Sequence, residues 1–176
     1  MRGMGIVLML LVGTLAVVVS VGVASDVQDV RLRDKCNPVT FNDAVGPGTC
    51  LDVGANVTFA EFVEELNPKD GGHGAWRFNP DDTHIDEGET IEARNESGEV
   101  HSFTEVVEFG AGIVPILNSA LPPGTPPVIP VNPMGVGGTF VAPGASSEVN
   151  DLDVGNHKFM CLIHPWMRTV VEVRED

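Results

Sequence analysis

From Ala75 to the end, the chain is a succession of short β-prone runs, each closed off by Gly, Pro, Asn or Asp. Trp76-Arg77-Phe78 alternates apolar and polar, and Asn79-Pro80-Asp81-Asp82 stops it. Thr90 to Arg94 follows the acidic turn Asp86-Glu87-Gly88, and further runs cover Glu99 to Val107, Gly138 to Ala142 and Ser147 to Val149. The last two extend from His157 to Cys161 and from Thr169 to Val173. About seven short strands with turn signals between them predict an all-β fold, a Greek-key antiparallel β-sandwich over residues 75–176. The stretch from Gly110 to Gly138 breaks the pattern with its Pro and Gly content. It reads as a long loop with one helical turn around Ile113 to Leu121, and loops of that length in compact domains usually carry a function.

The first residues have a different character. Met1-Arg2 is a short basic start, Ile6 to Val19 is almost wholly apolar, and Ser20 to Ala24 is small and uncharged. That order matches a secretory signal over residues 1–24, cut near Ser25. The rival reading is a retained membrane tether over residues 6–23, which as a helix would be about 27 Å long. Both place the remainder outside the cytoplasm, in a periplasm, at a cell surface or secreted. Residues 25–74 read as an N-terminal extension packed on the sandwich. Within it Val57 to Leu66 predicts a short helix. Thr58 and Glu61 form a capping-box pair, and Phe59, Phe62, Val63 and Leu66 share one face.

Export changes how the three cysteines are read. Cys36 and Cys50 stand close together, and an oxidising compartment favours their disulfide. Closing that loop would contribute roughly 3 kcal/mol. Cys161 is then the odd thiol. The net charge of −15, with lysine only at 35, 69 and 158, gives an acidic surface that does not suit nucleic acid.

The densest chemistry lies in Cys161-Leu162-Ile163-His164-Pro165-Trp166-Met167. A thiolate, an imidazole and a thioether fall three residues apart in a turn between two strands. Soft sulfur with imidazole selects copper, zinc or iron, and a long axial Met beside two His and one Cys is the electron-transfer copper set. The second His must come from elsewhere in the fold. His101, at the start of the strand after Glu99-Val100, is the candidate.

These residues resemble the cupredoxins, a family that includes plastocyanin, pseudoazurin, azurin and amicyanin. The resemblance covers about Ala75 to Asp176. The spacing of Cys161, His164 and Met167, with Pro165 and the aromatic Trp166 between, is the short-loop form seen in amicyanin. The resemblance implies one Cu(I)/Cu(II) ion held by His101, Cys161 and His164, with Met167 as a weak axial ligand. It also implies a monomer passing electrons between a donor and an acceptor redox protein. These would dock near His164, Pro165 and Trp166, where the His edge is exposed in the family. One departure stands out: many members follow the first His with Asn, and here Ser102 occupies that place.

The other candidates read as ordinary residues. His157 reads as structural, His73 and His84 as surface residues, Met134 as packing, and Glu105 and Glu108 as water-facing. Asn56-Val57-Thr58 and Asn95-Glu96-Ser97 match glycosylation acceptors, a short pattern that often arises by accident. Five His are too few for a multicopper oxidase, and a dinuclear electron-transfer centre needs a second Cys in the loop. The expectation is an electron carrier and no enzyme, with a copper delivery or storage protein as the alternative.

Overall fold

The structure is a computed structural model that describes residues 26–51 and 56–175. The expected signal or tether over residues 1–24 lies outside the described residues. Among them, no helix is long and apolar enough to cross a membrane.

Two four-stranded sheets form the sandwich. The first contains β1 (Val27–Arg33), β2 (Arg77–Asn79), β4 (Thr90–Asn95) and β8 (Ser146–Val149), in the order β2-β1-β4-β8. The second contains β3 (Asp82–Asp86), β6 (Thr104–Val106), β9 (Gly155–Met160) and β10 (Arg168–Arg174), in the order β3-β10-β9-β6. A two-stranded ribbon joins β5 (His101–Ser102) to β7 (Phe140–Val141). The expected sandwich is present, but its sheets are mixed rather than antiparallel. β1 runs parallel to β4 and β3 parallel to β10. Parallel neighbours need connections that cross from one sheet to the other, and neither hydrophobic periodicity nor turn residues encode that choice.

Period-two burial fixes which faces meet. Val30 and Leu32 of β1, Ile91 and Ala93 of β4, and Val171 and Val173 of β10 point inward, with charged residues between them on the outer faces. Between the sheets, Phe103 stacks on Phe159 at 4.3 Å and meets Phe78 edge-on at 5.3 Å.

The sequence suggested that residues 25–74 form an extension. Instead β1 lies inside the first sheet, paired on both sides. After β1 come α1 (Pro38–Ala44) and α2 (Phe59–Glu64). Asn37 caps α1 by accepting from the Val39 and Thr40 amides, and Pro38 opens it. Thr58 and Glu61 form the capping box expected for α2. Cys36 and Cys50 are joined, which closes the segment containing α1. The two helices pack Phe41 and Phe62 against Trp76, with Phe59 edge-on to Phe41.

Candidate metal centre

Cys161 follows β9, His164 and Met167 lie in the turn before β10, and His101 opens β5. The turn closes on itself. The Cys161 amide donates to the Met167 carbonyl at 3.0 Å, and the Met167 amide donates to the His164 carbonyl at 2.9 Å. Within it, Cys161 Sγ lies 3.8 Å from His164 Nδ1 and 3.9 Å from His101 Nδ1. The ligand atoms of His101, Cys161 and His164 all lie within 4.8 Å of one another, close enough to hold a single metal ion. Met167 is fully buried at the end of the same turn. The structure thus brings His101 to the Cys161 turn across 60 residues of sequence.

Backbone amides approach the sulfur from two elements. The Ser102 amide donates to Cys161 Sγ at 3.3 Å and the His164 amide at 3.4 Å. Ser102 also braces the turn, as its hydroxyl oxygen accepts from the Leu162 amide at 2.8 Å. The Ser102 hydroxyl thus ties β5 to the Cys161 turn with a side chain shorter than Asn. Burial alone would raise the Cys161 thiol pKa, but the facing His101 and His164 rings hold it well below the ordinary thiol range.

Sequence reasoning missed two carboxylates. The Asp34 side chain, just past β1, is fully buried and lies 2.9 Å from His101 Nε2. Its Oδ1 accepts from the Cys36 and Gly98 amides and its Oδ2 also accepts from the Glu99 amide. A carboxylate accepts, so Nε2–H is the donor, and in the neutral ring Nδ1 is the lone pair facing Cys161. Burial disfavours protonation of His101, yet the Asp34 hydrogen bond and then Cys161 raise its pKa to about 9. Burial likewise pushes the Asp34 carboxyl up, and His101 with the amide donors more than reverses this, leaving it lowered.

Glu99 sits on the other side. It accepts the Trp76 indole N–H at 2.6 Å and stands 3.7 Å from His164 Nε2. Burial raises its pKa, with Asp34 adding in the same direction. The sequence offered one signal for Glu99, its place two residues before His101. It offered none for Asp34. The parallel β1–β4 register sets Leu32 opposite Asn95, which delivers Asp34 to the turn at Glu96 to Glu99.

Asn95 shapes that turn. Its side-chain amide donates to the Glu99 and Val141 carbonyls, and its oxygen accepts from the Ser97 amide. Asn95 is therefore buried, which removes Asn95-Glu96-Ser97 as a glycosylation site.

The exposed His edge implied by the resemblance is absent. His164 is only 3 % exposed, Pro165 is buried, and Trp166 is half-buried. The helical unit covers the ring, as Phe62 and Trp76 each stand 6.4 Å from His164. Trp166 meets it edge-on at 5.5 Å, with Gly72 packed so close to the indole that an added Cβ would collide with it. The long loop also docks on the centre, because the Ile113 amide donates to the Leu162 carbonyl at 2.8 Å. Its 3-10 turn at Pro115–Ala120 falls where a helical turn was expected.

The remaining candidates lie away from the cluster. His157 is structural, as expected, bonded to Glu105 at 2.6 Å and to the Asp153 carbonyl at 2.7 Å. Glu105 thus faces a histidine as well as water, and Glu108 pairs with Lys158 at 2.6 Å. His84 is an exposed residue beside Glu172, whereas His73 is half-buried against Trp76. Met134 does not pack: it is 97 % exposed.

No family model matches the chain, and no curated protein does. Solved structures do match. A purple cupredoxin from Nitrosopumilus maritimus is 15 % identical over 84 % of this chain and 99 % of its own, with a TM-score of 0.44. A methionine-to-alanine mutant of amicyanin in its Cu(I) form is 18 % identical over 56 % of this chain and 73 % of its own, with a TM-score of 0.37. A proline-to-alanine mutant of amicyanin in the oxidised state is 19 % identical over 53 % of this chain and 70 % of its own, with a TM-score of 0.35. The chain is similar to these cupredoxins at a distance, and the ligand roles proposed below rest on its own residues.

Proposed function

We propose that this cupredoxin-like chain is an exported mononuclear copper protein that carries single electrons between redox partners. His101, Cys161 and His164, with Met167 beside them, would hold the copper. The observation that carries this reading is the convergence of two imidazole Nδ1 atoms on one buried sulfur. Two imidazoles with a thiolate form a donor set that fits copper. When bound, copper supplies a one-electron Cu(I)/Cu(II) couple at this cluster.

The chain's own groups do the rest. Asp34 holds the His101 tautomer, which keeps Nδ1 free as a donor. Ser102 and His164 give their amides to Cys161 Sγ, which stabilises a thiolate and fixes its direction. The Ser102 brace ties β5, which carries His101, to the turn that carries Cys161, His164 and Met167, and the docked loop holds that turn from outside, so little moves when charge changes. Trp76, Phe62 and Leu162 keep water away. Such a closed site suits electron transfer better than metal delivery, which needs an open, exchangeable one. The Cys36–Cys50 disulfide supports export to an oxidising compartment. Donor and acceptor proteins dock near His164, Pro165 and Trp166, with the half-buried Trp166 as the part they touch.

The test is to load the chain lacking its first 24 residues with Cu(II), then record visible absorption and electron paramagnetic resonance. An intense thiolate-to-copper band with narrow copper hyperfine splitting is expected, and Cys161→Ser abolishes both. A pale protein with an ordinary tetragonal signal, or an unchanged spectrum in Cys161→Ser, overturns the assignment.

A further inference from the structure

Beside His164 lies a pocket of about 280 Å³. Phe41, Phe59, Phe62 and Leu66 wall it from the helical side, with Ile116 and Ile163 opposite. Thr49, Glu99 and His164 supply its polar groups. The rim is open and apolar, as Ile116 is 72 % and Val45 59 % exposed.

The carboxylate of Glu99 gives this pocket a chemical preference. Its Oε2 is engaged by the Trp76 indole, whereas Oε1 takes no hydrogen bond among the described residues. That oxygen is not among the fully buried side-chain atoms left without a partner, and Glu99 lines the pocket, so a ligand's O–H can donate to it there. An anionic ligand would meet Glu99 as a repulsive neighbour, and a strongly polar one would lose its hydration to phenylalanine rings. A cavity of about 150 Å³ accepts benzene, so this one has room for a single substituted ring. The Phe41, Phe59 and Phe62 rings stand at mixed angles, from edge-on to tilted, and suit an aromatic guest.

We propose that this pocket binds a small neutral phenol-type molecule, its ring against Phe41, Phe59 and Phe62 and its hydroxyl donating to Glu99 Oε1. The pocket itself does not depend on which metal His164 holds. Its meaning as a small-molecule site at the edge of an electron-carrying centre rests on the copper reading.

The test is fluorine NMR of 4-fluorophenol titrated with the full chain, once copper-free and once loaded with Cu(I). Saturable binding is expected in both. Fluorobenzene leaves water more readily than a phenol but lacks the hydroxyl, so it should bind at least tenfold more weakly if Glu99 accepts a hydrogen bond. Ile116→Trp and, separately, Val45→Trp alter the exposed rim and should each weaken 4-fluorophenol tenfold or more. Absence of saturable binding, equal or tighter binding of fluorobenzene, or indifference to both rim variants each overturns the proposal. Binding that persists in a protein whose Cu(II)-loaded form shows no thiolate-to-copper band would sink the copper reading alone.

Discussion

Asp34 and His101, 67 residues apart, meet as a fully buried carboxylate–imidazole pair at 2.9 Å. The pair joins the end of β1 to the opening of β5, so the N-terminal part of the chain is built into the metal centre. Since the carboxylate also accepts from three backbone amides, the position of His101 depends on the turn around Gly98 as much as on its own strand.

Asp34→Asn tests that pair. An amide can accept on one side only, so two of the four donors to Asp34 would face an NH₂ group whichever way it turned. The variant is expected to lose about 1–3 kcal/mol of stability by denaturant unfolding. Loss of the carboxylate also makes His101 a poorer donor to an oxidised metal, so the reduction potential should rise. An unchanged potential would mean that Asp34 only supports the fold.

Gly112→Ala tests the docking of the long loop. A Cβ there would collide with the Leu162 carbonyl oxygen, which belongs to the Cys161 turn. Overpacking of this kind costs about 1–3 kcal/mol, and relief requires the loop or the turn to move. The expected result is lower stability together with a shifted thiolate-to-copper band. Gly137→Ala, where a Cβ meets nothing within 4 Å, should change neither.

Removing the disulfide as Cys36→Ala with Cys50→Ala should cost about 3 kcal/mol by the loop-closure argument. Calorimetry would read this as a lower Tm. The same closed loop carries Phe41, which stacks on Trp76 at 5.8 Å. The double variant should therefore also increase solvent quenching of tryptophan fluorescence, and unaltered quenching would show that α1 holds its place without the bridge.

His157 gives a pH dependence separate from the metal centre. Burial lowers its pKa, but the Glu105 hydrogen bond and the Asp153 carbonyl outweigh this and raise it. A raised folded-state pKa means that the proton is held more tightly in the folded protein. The contribution is complete below the unfolded value of about 6.5 and disappears as pH rises through the folded value. His157→Gln should consequently be less stable than the parent in mildly acid solution, with the gap narrowing above neutrality. A gap that widened with pH would contradict the sign.

The sequence alone determined the donor types and the sandwich. Cys161, His164 and Met167 are local, and a turn between two β-prone runs can place them together whatever surrounds it. The alternation in β1, β4 and β10 likewise specified inner and outer faces, and the capping box at Thr58 and Glu61 specified α2. Tertiary structure decided what crosses between distant segments. The parallel pairing of β1 with β4 made Val27–Arg33 part of the first sheet and brought Asp34 to His101. The packing of Phe62 and Trp76 over His164 closed an edge that the resemblance implied would be open. Side-chain type and spacing carry no record of register or of which helix lies across which turn. Those are set by how the whole chain buries its apolar surface, and only the folded molecule displays them.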